Sequence, residues 1–168
     1  MFVNRSGAST SAVNLAWVLP LLAAASVLLT ACGQPEAKHP TYSSADVATV
    51  EYRAEAAGLT LAPDWTWPQE PIPPTYQGSE IRYEKGYGKQ AADQYWFCSW
   101  AVRAVETRAG TKERAEAVQQ LQTLPSKYYF EVLNPHSRPY VLKELQTARE
   151  GNLDLVRKDI ELNCPERK

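Results

Sequence analysis

The chain has 168 residues, enough for one domain and hardly for two. Its 18 Lys and Arg against 19 Asp and Glu leave a net charge of −1, which argues against a nucleic-acid binder and against a long acidic tail. With 44% hydrophobic residues and only 8 Gly, it is not a low-complexity or disordered chain.

Arg5 is the only charged side chain before Glu36. Between them lies an apolar run from about Ala12 to Ala31, with Leu15, Trp17, Val18, Leu21, Leu22, Val27, Leu28 and Leu29. A short positive start followed by an apolar run is a signal peptide or a signal anchor. Length does not separate the two, since roughly 20 apolar residues can span a bilayer. The end of the run does. Leu29-Thr30-Ala31-Cys32 puts a branched residue at −3, small residues at −2 and −1, and Cys at +1.

This motif resembles the lipobox of bacterial lipoproteins. The resemblance implies a signal peptide of residues 1–31, cleaved after Ala31, and a diacylglyceryl thioether on Cys32. The single n-region Arg departs from the usual two or more cations. The alternative is an uncleaved membrane anchor with an incidental thiol at Cys32. Both place the rest of the chain outside the cytoplasm. Two or more acyl chains suffice for stable attachment. Gly33 stands where an Asp would favour inner-membrane retention, so the expected address is the outer membrane in a Gram-negative host. In a Gram-positive host it is the outer face of the one membrane.

With Cys32 lipidated, Cys98 and Cys164 remain as an even pair. In an exported protein such a pair is expected to form a disulfide. Two buried free thiols are the alternative. No cofactor is expected, and no metal either. The chain beyond residue 32 has only His39 and His136, without Cys-x-x-Cys or His-x-x-x-His spacing.

Residues 32–42 hold Pro35 and Pro40 and no apolar periodicity, and read as a tether. Ten extended residues reach at most about 35 Å, which keeps the domain of residues 43–168 near the membrane. Ser43-Ser44-Ala45-Asp46 fits a capping box. The helix it opens carries Val47, Val50, Ala54 and Ala57 at helical spacing and stops at Gly58. Residues 59–79 contain five Pro, which no helix survives. They are expected to form an edge strand or an extended strap that covers the core with Trp65 and Trp67. A Pro-rich ligand for an aromatic groove is the sharper alternative.

Residues 89–109 are the central helix. Ala91, Tyr95, Cys98, Val102, Val105 and Ala109 form one expected inner stripe, and Ala92, Trp96, Trp100, Arg103 and Thr107 a second beside it. Gly110 ends this helix and Thr111 caps the next. Residues 112–124 present Ala115, Val118, Leu121 and Leu124 on one face, and Pro125 stops them. Residues 128–133 fit a helical turn and a strand equally. Pro139 stands near the start of a helix carrying Val141, Leu142, Leu145 and Ala148. Gly151-Asn152 separates it from a last helix with Leu153, Val156 and Ile160. The expected fold class is therefore all-α: a compact bundle of four or five helices with a Pro-rich strap and one disulfide, after a cleaved signal peptide.

Catalytic constellations are weak. His136 lies in a loop without a Gly-x-Ser-x-Gly partner. Glu113 and Glu116 sit among Lys112, Arg114 and Gln120, as on a solvated face. Gly86-Tyr87-Gly88-Lys89 lacks the rest of any nucleotide fingerprint. No catalytic residue is assigned. The unusual feature is aromatic density from Trp65 to Trp100, read first as core. The candidate ligand-binding rings are Trp65, Trp67, Tyr83 and Tyr87, with Tyr83 and Tyr87 expected to be the exposed ones beside a hinge or turn at Gly86–Gly88.

Tyr95-Trp96-Phe97-Cys98-Ser99-Trp100 and Asn163-Cys164-Pro165 also resemble small secreted lipoproteins of actinobacteria. That likeness carries no activity and no functional residues. The functional expectation is a membrane-anchored, non-catalytic lipoprotein that binds a partner protein at the cell envelope. A glycan- or small-ligand-binding module built on the Trp and Tyr rings is one alternative. An inhibitor of an envelope enzyme, presenting the loop at 134–139, is another.

Overall fold

A computed structural model describes residues 41–164. The signal segment, Cys32 and all but the last two residues of the tether lie outside the described residues. The elements run β1 (Tyr42–Ser43), α1 (Ala45–Ala56), β2 (Thr75–Tyr76), β3 (Ser79–Glu80), β4 (Tyr83–Glu84), α2 (Tyr87–Glu106), α3 (Lys112–Leu121), α4 (Tyr128–Val132), α5 (Arg138–Arg149) and α6 (Asp154–Asn163). The described fold is thus mostly helical but not purely all-α. Two antiparallel ladders correct that expectation: Tyr42 and Ser43 pair with Glu84 and Tyr83, and Thr75 and Tyr76 pair with Glu80 and Ser79. The second is a hairpin turned by Gln77 at φ 50° and Gly78 at φ 80°, the positive-φ pair of a tight two-residue loop. The first means that regular structure starts at Tyr42, within the segment expected to be tether.

The N-cap of α1 is Ser44 rather than Ser43, and its side chain makes no capping hydrogen bond. Ser43 is in β1 instead, where its hydroxyl donates to the Tyr83 carbonyl at 3.3 Å. The larger difference is the face. Ala45, Ala48, Tyr52 and Ala56 are buried, while Val47 and Val50 are 49% and 68% exposed. The apolar stripe expected to face inward therefore points outward. The physical reason is the partner. At Gly88 of α2 an added Cβ would stand 2.0 Å from the Ala48 carbonyl oxygen and 2.7 Å from the Tyr52 nitrogen. The two backbones approach so closely there that only small residues fit between them.

α2 is the centre of the domain. It begins two residues earlier than the sequence suggests, at Tyr87, and ends at Glu106 rather than near Ala109. Its first turn is held from α1: the Gly86 N–H donates to the Glu51 carboxylate at 3.0 and 3.2 Å. The buried stripe contains Ala92, Trp96, Cys98, Trp100, Ala101 and Ala104, whereas Ala91, Tyr95, Val102 and Val105 are half-buried and Ala109 is exposed. The two stripes read from the sequence are both present, but their ranks are exchanged.

Two buried clusters flank this helix. The larger joins Trp96, Phe97, Cys98 and Trp100 to Leu121, Leu124, Leu145, Leu153 and Val156. The smaller joins α1 to Ile72, Tyr83 and Ala92. The strap packs Leu59 and Trp67 against both, and Trp65 against the larger. Its Pro-rich backbone bonds instead to α2 side chains. Trp100 Nε1 donates to the Thr60 carbonyl at 2.9 Å, Tyr95 OH donates to the Thr66 carbonyl at 2.8 Å, and Ser99 Oγ accepts the Ala62 N–H at 3.1 Å. These bonds satisfy groups that neither helix nor ladder could pair. The expected strap is present, and no strand forms between Leu59 and Pro74.

Thr111 caps α3 as expected, its hydroxyl accepting the Arg114 N–H at 3.3 Å. The helix stops at Leu121, and Pro125 falls in a single 3-10 turn at Leu124–Ser126. Leu121 and Leu124 are buried, but Ala117 takes the inner place expected of Ala115, which is exposed. The ambiguous segment after Ser126 is the short helix α4. It is held by Asp93 of α2, whose Oδ2 accepts the Tyr129 N–H at 2.8 Å. α5 and α6 follow the sequence closely, except that Leu142 is 48% exposed. Cys98 and Cys164 form a disulfide with Cα atoms 5.5 Å apart, which ties the end of α6 to α2. No helix among the described residues is long and apolar enough to cross a membrane.

Candidate functional site

The aromatic rings divide into two groups. Trp65, Trp67, Tyr52 and Tyr95 form one: Trp67 meets Tyr52 edge-on at 5.6 Å and Tyr95 at 5.5 Å, and Trp65 meets Tyr95 edge-on at 5.3 Å. Tyr83 and Tyr87 form the other, with centroids 4.7 Å apart. Tyr83 corrects the expectation of an exposed ring. It is 7% exposed, and its hydroxyl donates to the Pro73 carbonyl at 2.6 Å. It is drawn inward because β4 pairs with β1 over α1. Tyr87 is exposed, as expected. Of the hinge and the turn expected at Gly86–Gly88, the turn is present at Lys85-Gly86, and it is closely packed: a Cβ at Gly86 would stand 2.0 Å from the Tyr128 hydroxyl.

Trp67 reaches one open cleft of about 510 Å³, shared with Tyr52 and Arg53 of α1 and with Pro68 and Gln69 of the strap. The Tyr52 hydroxyl is buried without a hydrogen-bond partner, and burial pushes its pKa far above the usual phenol value. Polar arms beside an aromatic wall are the elements from which small-ligand sites are built. Trp65 and Trp67 are half-buried, so one strap can both cover the core and line a site.

The outer face of α1 is the second candidate. Val47, Val50, Ala54 and Ala57 step along it opposite the buried Ala45, Ala48, Tyr52 and Ala56, and all four are exposed. Tyr42, just before the helix, is 56% exposed.

The third is a small, partly open pocket of about 20 Å³ beside the disulfide, room for about one water molecule. Glu144 of α5, Asp159 and Asn163 of α6, Tyr129 of α4 and Gln94 of α2 line it. Glu144 is 1% exposed and its Oε1 has no hydrogen-bond partner. Burial first, and the neighbouring Asp159 second, push its pKa from 4.5 to about 8. Asp159 is also raised by burial, against the Asn163 amide that donates to its Oδ1 at 2.7 Å. Asp93 is raised to about 6 by burial, although the Tyr129 N–H opposes the shift. No sequence pattern marks Glu144 or Asp93, because only packing takes a carboxylate out of water.

The remaining candidates stay apart. His136 is exposed, and its backbone N–H donates to Asn134 Oδ1 at 2.9 Å in the loop before α5. Glu113 and Glu116 are both exposed on α3. Glu113 is held below the usual carboxylate range by hydrogen bonds at the helix start. Among the described residues no three His, Cys, Asp or Glu side chains gather as a metal-binding group. Compared with models of known protein families, with curated proteins and with solved structures, the chain matched none.

Proposed function

We propose that the chain is a lipoprotein anchored through Cys32 to the extracytoplasmic face of a membrane, with a non-catalytic helical domain that docks a partner protein of the cell envelope on the outer face of α1. The observation that carries the docking surface is the inverted helix: Val47 and Val50 face solvent while alanines fill the core side. With Ala54, Ala57 and the exposed ring of Tyr42, the two valines make one apolar strip along α1, the kind of surface a partner can cover. The Leu29-Thr30-Ala31-Cys32 motif supports the anchor.

Site-specific photocrosslinking tests the docking face. A benzophenone side chain at position 50 in cells is expected to give one discrete protein adduct, and the same group at exposed Lys143 none. Equal or absent labelling from both positions rejects the face. Intact mass of the protein from its own membranes tests the anchor. The expected mass starts at Cys32 plus lipid, and a full-length mass without lipid rejects it.

The Trp67 cleft supports a second reading, a module for a cell-wall glycan. Arg53 and Gln69 would hydrogen-bond hydroxyl or carboxylate groups beside the ring. Titration with soluble cell-wall fragments should shift tryptophan emission in the wild type and not in Trp67→Ala. Unchanged wild-type emission together with no detectable binding rejects this reading.

A further inference from the structure

An open groove of about 470 Å³ runs between α3 and α5, on neither surface discussed above. Ala115 and Val118 of α3 and Ala148 of α5 supply apolar lining. Its only charged lining residues are Arg114 and Arg149, one from each helix. Among the described residues neither guanidinium is ion-paired with a carboxylate. Arg114 makes one long bond, from Nη2 to the Gly151 carbonyl at 3.4 Å, which leaves most of its donors unused.

We propose that this groove binds an amphiphile with a single alkyl chain ending in a carboxylate. A volume of this size with mainly apolar walls and a few polar groups is the usual form of a small-molecule site. Most of the lining surface is apolar, which suits an alkyl chain, and Thr111, Gln119 and Gln122 add the uncharged polar groups. Two cationic forks without an acidic neighbour in the lining favour an anionic end, and a guanidinium matches the planar carboxylate in two parallel hydrogen bonds. A cationic or zwitterionic head would meet like charge there.

The test is photolabelling of the full chain in its own membranes with a diazirine-bearing long-chain carboxylate. The matching diazirine alcohol is the uncharged control. Label from the carboxylate is expected in peptides spanning residues 111–122 and 145–151. The alcohol should label them about tenfold less, the scale of one lost hydrogen bond to a charged group. An Arg114→Gln, Arg149→Gln double variant should reduce carboxylate labelling to the alcohol level. Both side chains stand at the surface of the groove, so its thermal melt should match the wild type. Equal labelling by the two probes overturns the anionic end. Label spread over the domain, or carboxylate labelling unchanged in the double variant, overturns the site.

Discussion

Glu144→Gln is the substitution with the sharpest expected signature. In the folded chain the Glu144 carboxyl holds its proton up to about pH 8, against an ordinary value of 4.5. Between those values the folded state carries a proton that the unfolded state has released. Stability therefore falls as pH rises, by about 1.4 kcal/mol per unit, and the loss is complete above the folded pKa. Asp93, raised to about 6, acts with the same sign but has mostly titrated by pH 6.5. From pH 6.5 to 8 the Glu144 carboxyl should therefore cost the wild type about 2 kcal/mol, and the neighbouring Asp159, also raised by burial, acts with the same sign. The amide of the variant carries no charge at any pH, so its stability should fall by about 2 kcal/mol less over the same interval. For a domain of this size the difference corresponds to roughly 6–10 °C in melting temperature. Calorimetry of both proteins at pH 6.5 and 8 measures it. Parallel curves would show that the carboxyl is neutralised or hydrated in some other way, and the argument from burial would fail.

Other expectations follow from the packing. Gly88→Ala drives a Cβ into the Ala48 carbonyl and the Tyr52 nitrogen, and backbone cannot swing aside as a side chain can. It should destabilise by about 1–3 kcal/mol and separate α1 from α2, seen as faster hydrogen exchange in residues 45–56. Removing the disulfide as Cys98→Ala with Cys164→Ala opens a loop of 66 residues' separation and should cost about 4 kcal/mol in denaturant melts. An unchanged midpoint would mean the unfolded chain is already restrained. Leu121→Ala empties a fully buried position and should cost about 2–5 kcal/mol. Val47→Glu, on the outer face of α1, should leave the melt within about 0.5 kcal/mol while abolishing the adduct formed from position 50.

Much of the domain is legible in the sequence. The helices beginning near Ala45, Tyr87, Lys112, Arg138 and Asp154 follow from apolar spacing and from breakers such as Gly58 and Gly110. Those are local properties of a chain. Pairing of Cys98 with Cys164 follows from parity once Cys32 is assigned elsewhere. The Pro density of residues 59–74 excludes regular structure there for the same local reason.

Tertiary structure alone decided which way α1 and α2 face. Periodicity says that a stripe exists, but the distance to the neighbouring backbone decides which stripe is buried. At Gly88 that distance admits Ala48 and excludes the valines, so α1 is turned outward. Tyr83 went inside because β4 pairs with β1, a contact across 40 residues that no local pattern announces. The same holds for the charged groups. Glu144 and Asp159 lie on different helices and share a cavity only after α5 packs on α6, and Arg114 and Arg149 line one groove only after α3 packs on α5. Burial and juxtaposition set the properties of a side chain there, and both are created by the fold.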